Sequence, residues 1–113
     1  MGSVKLVLLD TPGKKAKGLQ HMKPIPASTI WIFTRTYEGA PFHSMNVMEP
    51  FDIAFLDKEG TVLGGKTITP QKETISAPRG AEIAIESKAG MFSRLGIEPG
   101  KKINMEALLG QKG

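Results

Sequence analysis

The sequence contains no cysteine. Its absence excludes disulfides, thiolate zinc sites and cysteine nucleophiles, and it leaves stability to apolar packing and backbone hydrogen bonds. Long hydrophobic runs are missing too. The run from Val4 to Leu9 is interrupted by Lys5 and is too short for a signal-peptide core or a membrane span. We therefore expect no membrane association, and either an intracellular protein or an exported one whose leader is absent.

Several chemical signatures are also missing. Phosphate-loop, dinucleotide-binding and nucleophile-elbow patterns do not occur, which removes support for those enzyme classes. The two histidines, His21 and His43, lack a second strong ligand at short spacing, so we expect no metal and no other cofactor.

The net charge is +4. Lysines near both ends contribute to it and could form one basic face: Lys14, Lys15, Lys17, Lys23, Lys101, Lys102 and Lys112. Nucleic-acid modules combine such a face with exposed aromatic residues or a recognition helix, and neither is evident here. We interpret these lysines as a solvated surface and regard nucleic-acid contact as disfavoured.

The 113 residues fit a single domain, 1–113. A short helix is predicted from Pro12, with Thr11 as its N-cap and Gly18 at its end, and a second helical turn is predicted over 90–95. Strands are predicted at 4–9, 29–34, 42–47, 51–56, 61–63, 66–69, 73–76, 82–86 and 102–107. This pattern favours a mainly β fold, a small antiparallel sandwich or partly closed barrel with one or two short helices.

Finer expectations concern packing and turns. Asp57 opens a turn that closes at Gly60, and Gly64-Gly65 indicates a bulge or a close backbone approach. The 82–86 strand places Ile83 and Ile85 on one face and its two glutamates, with Ala84, on a face that we expect to meet water. Core positions are predicted for Trp31, Met45, Met48, Met91 and Met105.

Polar residues embedded in the apolar segment 42–52 are the candidate site residues. Asp52 lies between Phe51 and Ile53, where an ionised carboxylate must find partners or shift its pKa. Asn46 is an amide in a similar setting, and His43 is expected to point from a strand toward solvent or a polar neighbour. For Asn46 and Asp52, a structural hydrogen-bonding role and a ligand-binding role both stay open.

Ordered motifs extend along nearly the whole chain: Asp10-Thr11-Pro12, Gly18-Leu19-Gln20, Phe42–Val47, Pro50–Ile53, Asp57–Gly60, Ala89-Gly90 and Leu95–Gly100. In these motifs the chain resembles the domain of unknown function 192 family, small bacterial, archaeal and phage-associated proteins with a mainly β fold. The resemblance implies the fold but no activity.

The chain departs from the family pattern at several positions. Gln20, His43, Ser44, Met45 and Val47 replace the family's usual methionine, tryptophan, methionine, lysine and threonine, and Lys101 stands where aspartate is common. A ligand site built on that tryptophan and lysine would therefore differ here.

The sequence favours a ligand-binding or protein-interaction module with a cleft beside residues 42–52, whose partner is a small ligand or a protein. Asn46, Asp52 and His43 are the predicted ligand-binding residues. One alternative is an enzyme of unrecognised type with Asp52 as acid or base and His43 nearby. Another is a basic surface that contacts nucleic acid or an acidic partner. The oligomeric state stays open.

Overall fold

The structure, a computed structural model, describes residues 4–104. Within this range the chain forms β1 (Lys5–Leu9), α1 (Pro12–Lys17), β2 (Thr29–Phe33), β3 (Pro41–His43), β4 (Phe51–Leu56), β5 (Val62–Ile68), β6 (Thr74–Ser76), β7 (Ile83–Lys88) and α2 (Met91–Leu95). One sheet has the order β1-β2-β7-β4-β5, and β3 pairs with β6 in a second. The predicted mainly β fold with two short helices is confirmed, and the sheets do not close into a barrel.

The first two strands of the large sheet are parallel, whereas the remaining strand pairs are antiparallel. Parallel neighbours need a crossover connection, and α1 with the segment after it provides one. The helix begins as predicted: the Thr11 hydroxyl accepts a hydrogen bond from the Lys14 N–H at 3.2 Å, and Pro12 is the first helical residue. Gly18, at φ 46°, ends it.

Strand β5 runs unbroken through Gly64 and Gly65, so the prediction of two separate strands at 61–63 and 66–69 is wrong. A side chain at Gly65 would overlap the carbonyl oxygen of Ile53 on the neighbouring strand. The register also shifts between Phe55 and Leu56. Of the two predicted alternatives, the close backbone approach is present at Gly65, and the β4–β5 pair also has a register shift of the kind that a bulge produces.

The large sheet is apolar on both faces. On one face, Phe33, Phe55 and their neighbours pack with β3 through Phe42, whose ring makes edge contacts at 5.4 and 5.5 Å between ring centroids. On the other face, Ile85 and its neighbours pack with Phe92 of α2. We call these the β3 face and the α2 face.

The predicted strand at 42–47 is a strand only at its start. After His43 the chain turns, with Asn46 at φ 62° and the Val47 N–H donating to the Ser44 carbonyl at 3.0 Å. The Ser44 hydroxyl is buried and accepts hydrogen bonds from the backbone N–H groups of residues 72 and 73, each at 2.9 Å. The turn forms because these contacts tie it to the loop before β6.

The prediction that the glutamate face of β7 meets water is wrong for Glu86 and for Ala84, which is fully buried. Glu82 is exposed, but Glu86 is only 5% exposed. Alternation assigns a side chain to one side of a strand without revealing whether another layer covers that side. Here the layer that contains β3 covers it.

Core assignments were correct for Trp31 and Met91, which are both buried. They were wrong for Met45, which is 63% exposed in the turn after β3, and for Met48, which is 42% exposed beyond that turn. Met105 lies outside the described residues.

Of the strand predicted at 102–107, only an isolated bridge between Thr61 and Lys102 is present up to residue 104, and the remainder lies outside the described residues. Across 4–104, no helix has the length and apolar character that a membrane span requires.

Candidate functional site

A cleft of about 420 Å³ opens on the β3 face of the large sheet. Lys15 and Lys17 of α1 border it on one side, and Phe42 and His43 of β3 border it on another. Glu86, from the central strand β7, also lines it. We call this space the α1 cleft.

Glu86 is held deep in the cleft by the geometry of the sheet. It lies opposite Trp31 of β2 and Ile53 of β4, both of which are buried. Two flanking strands therefore fix its backbone, and its side chain shares the β3 face with Phe33 and Phe55.

The carboxyl group of Glu86 has no protein partner within residues 4–104: no side chain or backbone group there forms a hydrogen bond with it, and no basic nitrogen lies within 4.0 Å. Burial raises its pKa to about 8, because the charged form is poorly solvated there. Within residues 4–104, the Thr34 hydroxyl is the one fully enclosed polar side-chain atom that has no hydrogen-bond partner. The Glu86 oxygens are not fully enclosed in this way. At neutral pH Glu86 is therefore mainly a neutral carboxylic acid at the floor of the cleft.

The rim of the cleft is basic. Lys15 is half-buried, while Lys17 and Arg35 are exposed. Arg35 follows β2 with φ 57°, a left-handed conformation that is uncommon for residues with a side chain. The side chains of these three residues form no ion pair or hydrogen bond with residues 4–104. They are free to contact a ligand.

The walls between rim and floor are apolar. Phe33 and Phe42 meet edge to face at an interplanar angle of 87°, and the buried Val47 lies beside them. Such a surface accommodates the hydrocarbon part of a ligand, while the polar groups at the two ends fix its orientation.

Two of the three predicted site residues lie in or near this cleft. His43 lines it, and its Nδ1 accepts a hydrogen bond from the Met45 N–H at 3.2 Å. Asn46 does not line it, but its side-chain amide donates to Gln20 Oε1, at 3.4 Å, and Gln20 does line the cleft. The Asn46 carbonyl accepts from the His21 N–H at 2.8 Å.

Asp52 lies on the opposite, α2 face of the sheet. One of its oxygens accepts from the Thr67 hydroxyl at 2.7 Å, and the other accepts from the N–H groups of Gly90 and Phe92 at 2.9 and 3.3 Å. These two N–H groups belong to the start of α2, where helices leave donors unpaired. Asp52 borders a separate hollow of about 280 Å³ and is not brought together with His43 or Asn46.

Sequence reasoning missed Glu86, Arg35 and the aromatic walls. One signal was available for Glu86: the apolar Ala84 lies on the same side of the strand. For Lys15 and Lys17 the sequence indicates only a charged surface. Within residues 4–104, no three histidine or acidic side chains converge as metal ligands.

Comparison with known proteins gives a family and a fold. The family model for domain of unknown function 192 (DUF192), described as "uncharacterized ACR", matches residues 2–105. No curated protein matches the chain.

Two solved structures resemble it. One is a protein of unknown function from Novosphingobium aromaticivorans, with 26% identity, a TM-score of 0.78, and coverage of 89% of this chain and 74% of that one. The other, described as a "putative transcription regulator", is from Sinorhizobium meliloti, with 22% identity, a TM-score of 0.77, and coverage of 86% and 78%.

Proposed function

Since the chain belongs to the domain of unknown function 192 family, whose description assigns no activity, we propose from its own structure that it is a small-molecule-binding protein. In this proposal the ligand occupies the α1 cleft, with a polar group directed toward Glu86.

The observation that carries the proposal is the unpartnered carboxyl group of Glu86. Burying a polar group without a hydrogen bond costs free energy, and most buried polar side chains have partners. A titratable group with a strongly shifted pKa inside a concave pocket is a recurrent mark of binding and catalytic sites. A ligand would supply the hydrogen bond that residues 4–104 do not.

The size and walls of the cleft agree with this role. Its volume of about 420 Å³ falls in the range of roughly 300–1,000 Å³ that is typical of small-molecule sites. Phe42, His43 and Val47 support a cleft beside the first half of the segment 42–52. Asn46 does not line the cleft but donates a hydrogen bond to Gln20, which does. Asp52 does not contribute to the lining.

The other candidate functions receive less support. The Asp52 carboxylate already accepts three hydrogen bonds, which leaves little capacity for the proton transfer expected of an acid or base. The relative described as a regulator is 22% identical, which concerns the fold alone. Among the described residues, helices of six and five residues are too short to act as a recognition helix in a DNA groove.

Amide chemical-shift mapping of the full chain tests the proposal. Four small aromatic probes, benzoate, phenyl phosphate, benzylamine and benzyl alcohol, are titrated into the labelled protein. We expect at least one to shift amides around the cleft, such as those of Gly18, Ala40 and Phe42. In the variant Glu86→Gln, the probe-induced shifts of these amides should differ from those of wild type. In the control Glu82→Gln, which alters an exposed residue near the same strand, they should not.

Native mass spectrometry of the purified protein complements the titration by detecting any compound that co-purifies. If no probe shifts the cleft amides and no compound co-purifies, the proposal is contradicted. Probe shifts confined to the hollow beside Asp52 would also contradict it, because they would place the site on the α2 face.

A further inference from the structure

Resting on the proposed function, we infer that the ligand of the α1 cleft is a small organic oxyanion, a carboxylate or phosphate ester, one of whose oxygens accepts a hydrogen bond from the Glu86 carboxylic acid.

The charge distribution of the cleft is the first argument. The ionisable groups that line it are Lys15 and Lys17 from α1, Arg35 and Tyr37 after β2, His43 from β3, and Glu86 from β7. Glu86 is the one acid among them, and at neutral pH it is mainly uncharged. Three permanent cations then dominate the local field, which attracts an anion and repels a cation.

Among residues 4–104, the acids Asp10 and Glu38 are engaged by other cations. Asp10 pairs with Lys14 at 3.6 Å and Glu38 pairs with Arg79 at 3.9 Å, and none of these four residues lines the cleft. The three rim cations thus keep their bonding capacity for a ligand. Guanidinium and ammonium groups are also the usual partners of carboxylate and phosphate oxygens.

The position of Glu86 is the second argument. A neutral carboxylic acid has one O–H donor in addition to its acceptor oxygens. Because no acceptor within residues 4–104 takes this proton, an oxygen of a ligand that reaches the floor can do so. An anion on the rim and an acceptor at the floor can belong to the same carboxylate or phosphate group, or to the two ends of one molecule.

A ligand amine would place opposite demands on the site. It would need Glu86 to lose its proton, and its positive charge would lie among Lys15, Lys17 and Arg35. An oxyanion requires neither, so it is the favoured class. The two classes also differ in proton linkage: an acceptor binds the protonated acid, and an amine binds the carboxylate.

Benzoate and benzylamine, which are similar in size and opposite in charge, are the test probes. Titrations of the full chain are followed by cleft amide shifts between about pH 6 and about pH 9. We expect benzoate to bind more tightly than benzylamine, and its Kd to increase about tenfold between about pH 7 and about pH 9, as Glu86 loses its proton. Phenyl phosphate, titrated alongside, distinguishes a phosphate preference from a carboxylate preference.

Three variants separate the contributions. Glu86→Gln keeps an N–H donor at the floor, so benzoate should still bind while the change in Kd with pH is lost. Arg35→Gln should weaken benzoate binding severalfold and keep the pH dependence. His43→Gln removes the titration of the imidazole from the profile, and Glu82→Gln should behave like wild type.

Three outcomes would overturn the inference. Preferential binding of benzylamine that strengthens as the pH rises would assign the cleft to amines. A benzoate affinity that is independent of pH in wild type and in His43→Gln would remove Glu86 from ligand contact. Both of these results leave small-molecule binding in place. Failure of every probe, with no co-purifying compound, contradicts the inference together with the proposed function.

Discussion

Replacing Glu86 by glutamine should change how the stability of the ligand-free protein depends on pH. The pKa of Glu86 is raised from 4.5 to about 8 because the side chain is buried. Below about pH 4.5 the group is protonated in both the folded and the unfolded chain, and its contribution to stability is fully present. As the pH rises toward 8, the unfolded chain releases a proton that the folded protein retains, so stability falls.

The magnitude follows from the pKa. Each tenfold change in proton affinity corresponds to about 1.4 kcal/mol, so the rise of the pKa sets an upper limit of about 5 kcal/mol on the free energy of unfolding lost by pH 8. Solvent in the cleft reaches the carboxyl group, and we expect an observed loss of about 3–5 kcal/mol. Glutamine cannot ionise, so the free energy of unfolding of Glu86→Gln should rise by this amount relative to that of wild type as the pH increases from about 4.5 to about 8.

Urea unfolding followed by the fluorescence of Trp31, the only tryptophan, measures the effect. Subtracting the wild-type profile from that of Glu86→Gln cancels the contributions of other groups, including Glu73, whose pKa is lowered to about 2 chiefly by its hydrogen bond with Lys66. The control Glu82→Gln should follow wild type. Parallel profiles for wild type and Glu86→Gln would refute the reasoning, because they would mean that Glu86 is as well solvated in the folded state as in the unfolded state.

Three further substitutions test individual contacts in the fold. The free energy of unfolding of each variant is measured by urea unfolding at neutral pH. Asp52→Ala should cost about 3–5 kcal/mol, because donors at the start of α2 lose a charged acceptor, and a loss below about 1 kcal/mol would show that water replaces it. Ser44→Ala should cost about 1–3 kcal/mol, since two backbone N–H groups lose their acceptor, and wild-type stability would contradict that role. Gly65→Ala should cost about 1–3 kcal/mol through overlap with the Ile53 carbonyl, and a neutral effect would mean that the β4–β5 pair separates easily.

Local sequence signals predicted much of the fold. The Thr11-Pro12 start and the Gly18 end located α1, because capping depends on neighbouring residues. The turn at Asp57 was also predictable: its carboxylate accepts from the N–H groups of residues 59 and 61, each at 2.9 Å. Gly65 could be identified because only glycine permits such a close approach between strands.

The candidate site was much less predictable. His43 and Asp52 are both predicted from their place in an apolar segment, but only His43 lines the cleft, because Asp52 lies on the other face. Glu86 was missed although Ala84 gave a weak signal, since Phe42, which lines the same cleft, lies more than forty positions earlier in the chain. The prediction of buried methionines at 45 and 48 failed in a similar way, because a turn tied by Ser44 directs that segment outward.

The central position of β7 also constrains how the chain reaches its folded state. Within residues 4–104, β7 is the last strand of the large sheet in chain order, yet it separates the β1–β2 pair from the β4–β5 hairpin. Until residues 83–88 are available, β2 and β4 each present an unpaired edge. Every residue of these two strands is buried in the complete fold. Two-stranded units are marginally stable in water, and exposed edges of this kind favour aggregation. A ribosome-bound chain that ends before residue 83 should therefore lack a stable sheet and depend on rapid completion of synthesis, or on a chaperone, to avoid edge-to-edge association.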